Sequence, residues 1–229
     1  MRKQAIDVFN QYGEIYDAEF VSAIDRFEND WTFRQMARQL CRHLPDDGTV
    51  LDAGCGTGLV LEELDLTPDR YIGVDFSETM LTVARKKFPY HRFVEQDLRH
   101  FGCHPVDAVV STFASLSYII VGQHLMPETI ASWLKPNGTI FLQYFGHRYR
   151  HARKNFTALP PFFAPTAKEL YRMYSPYFTD IQIRGLSSFV DRIPLKAWFE
   201  LDAAVIGRLV PDAGMFIQIT GRKKVEKYR

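Results

Sequence analysis

The chain has 229 residues, 46% hydrophobic and 24% charged, which supplies one sizeable α/β core and excludes disordered and fibrous classes. Its 28 Lys and Arg nearly balance 27 Asp and Glu, so it lacks the surplus of cations that a nucleic-acid binder concentrates on one face. No apolar run approaches about 18 residues and none follows Met1, so a membrane span and a secretion signal are not expected; a cytoplasmic location is.

Residues 6–44 carry helical spacing, with Ile15, Phe20, Ile24 and Phe27 in one segment and Trp31, Met36, Leu40 and Leu44 in another. A short buried strand follows over Thr49–Ala53 and stops on Gly54-Cys55-Gly56-Thr57-Gly58, ahead of a helix over Leu59–Leu64. Glycines there let the backbone turn sharply and approach a ligand with no Cβ between. The dinucleotide fingerprint G-x-G-x-x-G does not fit, because its third glycine falls on Leu59 or Leu61. The pattern is acid-x-G-x-G-x-G, and the Asp52 carboxylate repels a pyrophosphate but suits a ligand bearing an ammonium group.

A second strand is predicted over Arg70–Val74, closing on Asp75 about twenty residues past the glycines, where an acid at a strand end meets ribose hydroxyls. Ser77 is placed to cap a helix over Glu78–Lys87. Strands follow over His91–Glu95, ending in Gln96-Asp97-Leu98, and over Val106–Ser111, running into Thr112-Phe113. A helix over Gly122–Leu134 and the turn Lys135-Pro136-Asn137-Gly138, with Gly138 free to take positive φ, lead into a strand over Thr139–Phe145. Beyond it His147 sits at a strand's carboxyl end, where an imidazole suits removal of a proton near neutrality. Pro160–Pro165 reads as a loop, Thr166 to Glu169 as a capping box, then a strand over Phe178–Gly185, a helix over Pro194–Val210 and a last strand over Met215–Thr220. The cysteines, Cys41, Cys55 and Cys103, form no C-x-x-C pair, and Cys55 reads as a small residue in a tight loop.

Val50 to Gly58 resembles motif I of the class I S-adenosylmethionine-dependent methyltransferases, and the resemblance runs from Val50 to about Phe145. It implies a Rossmann-like three-layer sandwich: a seven-stranded, mostly parallel sheet with an antiparallel last strand, under an N-terminal helical lid. One domain is expected, with residues 1–47 as cap, 48–146 as cofactor core and 147–229 on the acceptor side. The implied cofactor is S-adenosylmethionine, leaving as S-adenosylhomocysteine. Asp52 with the loop Gly54, Cys55, Gly56 and Gly58 would hold its methionine end, Asp75 the ribose, and Phe76 one face of the adenine. Asp97 would accept from the adenine amine and the Leu98 amide donate to the ring, with Gln96, Ser111 and Phe113 completing the contacts.

Tyr12, Tyr16 and Asp17 fall where related small-molecule methyltransferases carry an aromatic-Asp pair; Tyr16 and His147 are the catalytic candidates. Tyr12, Tyr16, Phe113, Tyr118, Tyr144, His147 and Tyr149 are candidates for the acceptor pocket. The Asn/Asp-Pro-Pro-aromatic motif of adenine and amide methylation is absent after the fourth strand, and no local acid cluster marks a metal site. A small-molecule oxygen or nitrogen acceptor is therefore expected, handled by a monomer or homodimer without nucleic acid, membrane or metal. The rivals are a non-catalytic S-adenosylmethionine-binding protein and a nicotinamide-dependent oxidoreductase.

Overall fold

The computed structural model describes residues 7–11, 13, 15–17, 34–38, 40, 42–118, 126–147, 162–186 and 201–225. Seven strands form one sheet in the order β3-β2-β1-β4-β5-β7-β6: β1 Val50–Ala53, β2 Tyr71–Asp75, β3 Arg92–Glu95, β4 Val106–Ser111, β5 Leu134–Phe145, β6 Phe178–Leu186 and β7 Phe216–Lys223. The first five pair in parallel, while β7 runs antiparallel to both β5 and β6. The last strand in sequence is antiparallel, as expected, and is inserted between its two predecessors. Helices among the described residues flank the sheet, including α1 Leu59–Leu64, α2 Glu78–Lys87, α3 Met126–Ser132 and α4 Ala167–Tyr174.

The alternation of side chains along a strand divides the core between two faces. Leu51, Val109, Leu142, Ile217 and Ile219 point to the face covered by Ile130, Trp133, Leu170 and Tyr174. Val50, Ala108, Val110 and Phe141 point to the other, where they meet Val60 and Leu61 of α1 and Met36 and Leu40 of the N-terminal region. Helices on both faces make the sheet a middle layer, and its central strands β1 and β4 are accordingly almost entirely buried.

The turn before β5 differs from expectation. β5 already begins at Leu134, and a bulge forms where the pairing Val106↔Leu134 passes to Ala108↔Thr139. Asn137, not Gly138, takes the left-handed backbone, with φ 63; an asparagine tolerates this conformation because its short polar side chain can bond locally. The expected helices over 6–44, 122–134 and 194–210 lie partly outside the described residues, as do Tyr12 and Tyr149.

The capping box of α4 is present in both arms: Thr166 Oγ1 accepts from the Glu169 amide at 3.2 Å, and a Glu169 carboxylate oxygen accepts from the Thr166 amide at 2.7 Å. Thr166→Ala is expected to lower stability by about 1 kcal/mol in denaturant unfolding, the usual worth of an N-cap. An unchanged midpoint would show that packing of Leu170 and Tyr174 alone holds the helix.

Candidate active site

The turn between β1 and α1 carries three left-handed glycines, Gly54 at φ 84, Gly56 at φ 52 and Gly58 at φ 86. L-residues with a Cβ adopt this conformation at a cost, so the turn itself selects glycine. At Gly54 space also forbids a side chain, since a Cβ would stand 2.4 Å from that of Ser115; at Gly56 a Cβ would meet nothing within 4 Å, because this glycine faces the cleft. The loop is anchored from below. The amides of Gly54 and Cys55 both donate to the Val74 carbonyl at the end of β2, at 2.8 and 3.1 Å, and that of Gly58 donates to the Cys55 carbonyl at 2.9 Å.

Asp75, one residue further along β2, joins the strand end to the loop. One carboxylate oxygen accepts from the Gly56 amide at 3.0 Å and the other from the Ser77 amide at 2.9 Å. Burial pushes its pKa up against the pull of these bonds. A carboxylate has about four acceptor sites, so with the backbone bonds from Gly56, Ser77 and Phe76 it keeps acceptor capacity for a hydroxyl of a ligand in the cleft that Asp75 lines. Ser77 caps α2 by accepting from the Met80 amide at 3.3 Å, which fixes the backbone that follows Asp75.

Residues from the ends of four strands and the loops after them meet at this cleft. Gly54, Cys55 and Gly56 form its floor, Asp75 and Phe76 one wall, Leu98 another, and Phe113 and Tyr118 the side toward β5. Phe113 and Ala114 hold φ of 52 and 58, unusual for residues with side chains. The Phe113 amide donating to Gln143 Oε1 at 3.0 Å and the Ser117 amide to the Ala114 carbonyl at 2.9 Å hold that turn. Strain of this kind persists where the surroundings over-determine it, commonly at ligand sites.

The N-terminal region closes the cleft from above. The Phe9 ring contacts those of Phe76 and Tyr118, Ser77 Oγ donates to Asn10 at 2.6 Å, and Thr57 Oγ1 donates to Asp17 at 2.5 Å. Lys87 bridges Asp17 at 2.8 Å and Glu62 at 2.5 Å, tying the segment to α1 and α2. The enclosed space is about 50 Å³, well below the roughly 300–1,000 Å³ of small-molecule sites. Phe9 and Tyr16 of the N-terminal segment are among the residues that line this space.

Several residues expected at the cofactor are placed elsewhere. Asp52 lies on the same sheet face as Val50, two residues away, and is fully buried beneath the loop. One of its oxygens accepts from the Tyr71 hydroxyl at 2.8 Å, and the other has no partner among the described residues. Burial, with the charge of Asp75 behind it, raises its pKa to about 7. It supports the cradle instead of lining it.

Asp97 is turned toward Arg99, whose guanidinium meets both carboxylate oxygens at 2.7–3.1 Å; only its neighbour Leu98 reaches the cleft. The Gln96 side chain is exposed and donates to the His100 carbonyl, and Ser111 is buried, donating to the Ala53 carbonyl at 2.6 Å. The amides of Gly54, Cys55, Gly56 and Gly58 already have protein acceptors, so the loop offers a ligand close approach of its backbone more than free donors.

On the acceptor side Tyr16, Phe113 and Tyr118 line the cleft, whereas His147 does not. Tyr144 is fully buried on the opposite face, its hydroxyl paired with that of Tyr174. The parity of β5 explains this: Tyr144 shares its face with Leu142, and Gln143, one residue earlier, faces the other way. Burial and the charges of Asp75 and Asp17 raise the Tyr16 pKa, so its phenol stays protonated. Burial likewise pushes the Cys55 thiol well up, which makes it inert. Phe9, Thr57, Met80, Thr112 and Ser115 also line the cleft and were not among the candidate site residues. Thr112 and Ser115 stand in the segment after β4, where their position at a strand's carboxyl end was the available signal.

Residues 50–138 match a family model described as a methyltransferase domain. Over 163 residues the chain is 33% identical to the ubiquinone/menaquinone biosynthesis C-methyltransferase UbiE of Campylobacter jejuni, covering 65% of this chain and 67% of that protein. It is 33% identical over 102 residues to the dTDP-3-amino-3,4,6-trideoxy-alpha-D-glucopyranose N,N-dimethyltransferase of Streptomyces venezuelae, 43% of each chain. The N-methyltransferase NodS of Bradyrhizobium japonicum WM9, solved with S-adenosylhomocysteine, shares the fold at a TM-score of 0.68 and 12% identity, with 97% of this chain and 100% of that one covered. The chain belongs to the class I S-adenosylmethionine-dependent methyltransferases. It spans about half the length of most of the curated relatives it matches. Among the described residues no helix is long and apolar enough to cross a membrane.

Proposed function

We propose that this chain transfers a methyl group from S-adenosylmethionine to a nitrogen or oxygen of a small, partly apolar molecule. The observation that carries the proposal is the joining of the left-handed glycine turn to Asp75 at one cleft. The turn brings backbone to the wall, and the carboxylate keeps acceptor capacity where vicinal hydroxyls would lie. Phe76, Leu98, Met80 and Phe113 supply apolar faces for a purine, and no lysine or arginine lines the cleft among the described residues, which suits a phosphate-free nucleoside.

When bound, the cofactor supplies a methyl group made electrophilic by its sulfonium, so no covalent enzyme intermediate is needed. The residues then have to align the acceptor, exclude water and leave a route for its proton. Tyr118, packed edge-on against Phe145 and Phe162, forms the aromatic wall beside the cleft, and Phe9 closes over it. Tyr16 can orient the acceptor by donating a hydrogen bond but is too weak an acid to hold a phenolate near neutrality. His147, half-buried just past the end of β5, serves only an acceptor that extends beyond the cleft. An amine that sheds its proton to water after transfer needs no buried base, and the aminosugar relative is by name an N,N-dimethyltransferase; both favour nitrogen.

Calorimetry with S-adenosylhomocysteine and, separately, with a nicotinamide dinucleotide tests the cofactor. Saturable binding of the first alone is expected, and binding of only the second would overturn the proposal. Transfer of labelled methyl to amines and hydroxylated metabolites, with the cofactor bound, then tests catalysis; no product from any of them would leave a binding protein.

A further inference from the structure

A second cavity, of about 430 Å³, opens on the other side of the sheet's β7–β6 edge and shares no lining residue with the cofactor cleft. Arg34, Arg38 and Arg42 recur every four residues along the helical stretch that covers this face, so all three point the same way. Arg184 rises from β6 and Arg208 from the helical turn Gly207–Leu209 opposite. The described lining holds five arginines and no aspartate or glutamate.

The floor is built from the sheet. Arg184 pairs with Gln218 and Gln182 with Thr220 across β6 and β7, so four polar side chains project from one face at adjacent positions. On the same strands Ile217 and Ile219 point to the hydrophobic core. Gln218 is buried, 7% exposed, and its amide oxygen has no partner among the described residues. A side-chain amide can present either its oxygen or its NH₂ on turning over, so Gln218 retains unused bonding capacity inside the cavity. The half-buried Arg184 is also pushed to a lower pKa, by burial first and then by the neighbouring charge of Arg208.

We propose that this cavity binds a small multivalent oxyanion, a diphosphate or a polycarboxylate, between Arg184, Arg208 and the Arg34–Arg38–Arg42 row. Guanidinium forks match both chemistries with paired hydrogen bonds. The volume lies within the range of small-molecule sites and encloses only a compact ligand, which separates it from an open basic surface tracking a nucleic-acid backbone.

Isothermal titration of the full chain with inorganic pyrophosphate, citrate and a single-stranded RNA decamer tests the site. Saturable one-to-one binding of pyrophosphate or citrate is expected, and the tighter of the two identifies the ligand as phosphate or carboxylate. Arg208→Gln and, on a separate element, Arg38→Gln should each weaken it roughly tenfold, the effect of losing a charge-assisted hydrogen bond. S-adenosylhomocysteine binding should stay unchanged in both variants, which also reports that they fold. No saturation by either anion up to about 1 mM, undiminished affinity in both variants, or binding of the RNA alone would each overturn the proposal.

Discussion

Asp75→Ala is expected to weaken S-adenosylhomocysteine binding by about 1.5–3 kcal/mol, the worth of hydrogen bonds to a charged group, or roughly tenfold to 150-fold in Kd. Two contributions act together. The variant loses the acceptor proposed for ribose hydroxyls, and it releases the Gly56 and Ser77 amides, which the carboxylate holds at 3.0 and 2.9 Å. The fold should survive. Gly54 and Cys55 stay tied to the Val74 carbonyl, no apolar contact is removed, and a buried carboxylate whose pKa is already raised is relieved. Asp75→Asn keeps one acceptor oxygen and should fall between the two. Calorimetry on the three proteins reads the order directly, and equal affinity in Asp75→Ala would take Asp75 out of the ribose role.

Asp52→Asn should change how stability depends on pH more than it changes binding. The Asp52 pKa is raised from 3.8 to about 7 by burial, so in the window between these values the folded protein holds a proton that the unfolded chain has released. Stability from this group is therefore full below about pH 4 and falls as pH rises toward 7. The displacement corresponds to about 4 kcal/mol. The asparagine variant lacks this titration. It keeps an oxygen for the Tyr71 hydroxyl, and its NH₂ takes the place of an oxygen that already lacks a partner, which adds a pH-independent cost of about 1–3 kcal/mol. Unfolding free energies of wild type and variant measured at pH 4 and pH 8 should thus differ by an amount that moves about 4 kcal/mol in favour of the variant at the higher pH. Parallel pH profiles would show that Asp52 titrates in its ordinary range.

Much of the fold was legible because it is carried by local chemistry. The glycines of 54–58 and the acids at the ends of β1 and β2 specify a strand, a tight turn and a helix with little help from the rest of the chain. Ser77 and Thr166 announce helix starts by the same local logic, and both cap as their sequences imply. The turn before β5 was half legible: its residues marked an irregularity, but which of Asn137 and Gly138 turns left-handed depends on the β4–β5 register.

What sequence position could not supply was the direction in which each candidate points. Asp52, Asp75 and Asp97 all stand at or beside strand ends, yet only Asp75 lines the cleft; the pleat turns Asp52 beneath the loop, and Arg99 draws Asp97 aside. Tyr144 is an aromatic residue at the end of β5 whose parity sends it to the opposite core. The arginine cavity lay hidden for a related reason. Its members come from positions 34 to 220, and a chain of net charge +1 gives no hint that five guanidinium groups gather at one place. By itself, then, the sequence determined the sheet, the glycine cradle and the acid that closes β2, because each is fixed by neighbours within a few residues. Only the tertiary structure decided which acid lines the cleft, which aromatic residues wall it and where the positive charge collects. Those outcomes depend on strand register and on side chains far apart in the chain meeting across the sheet.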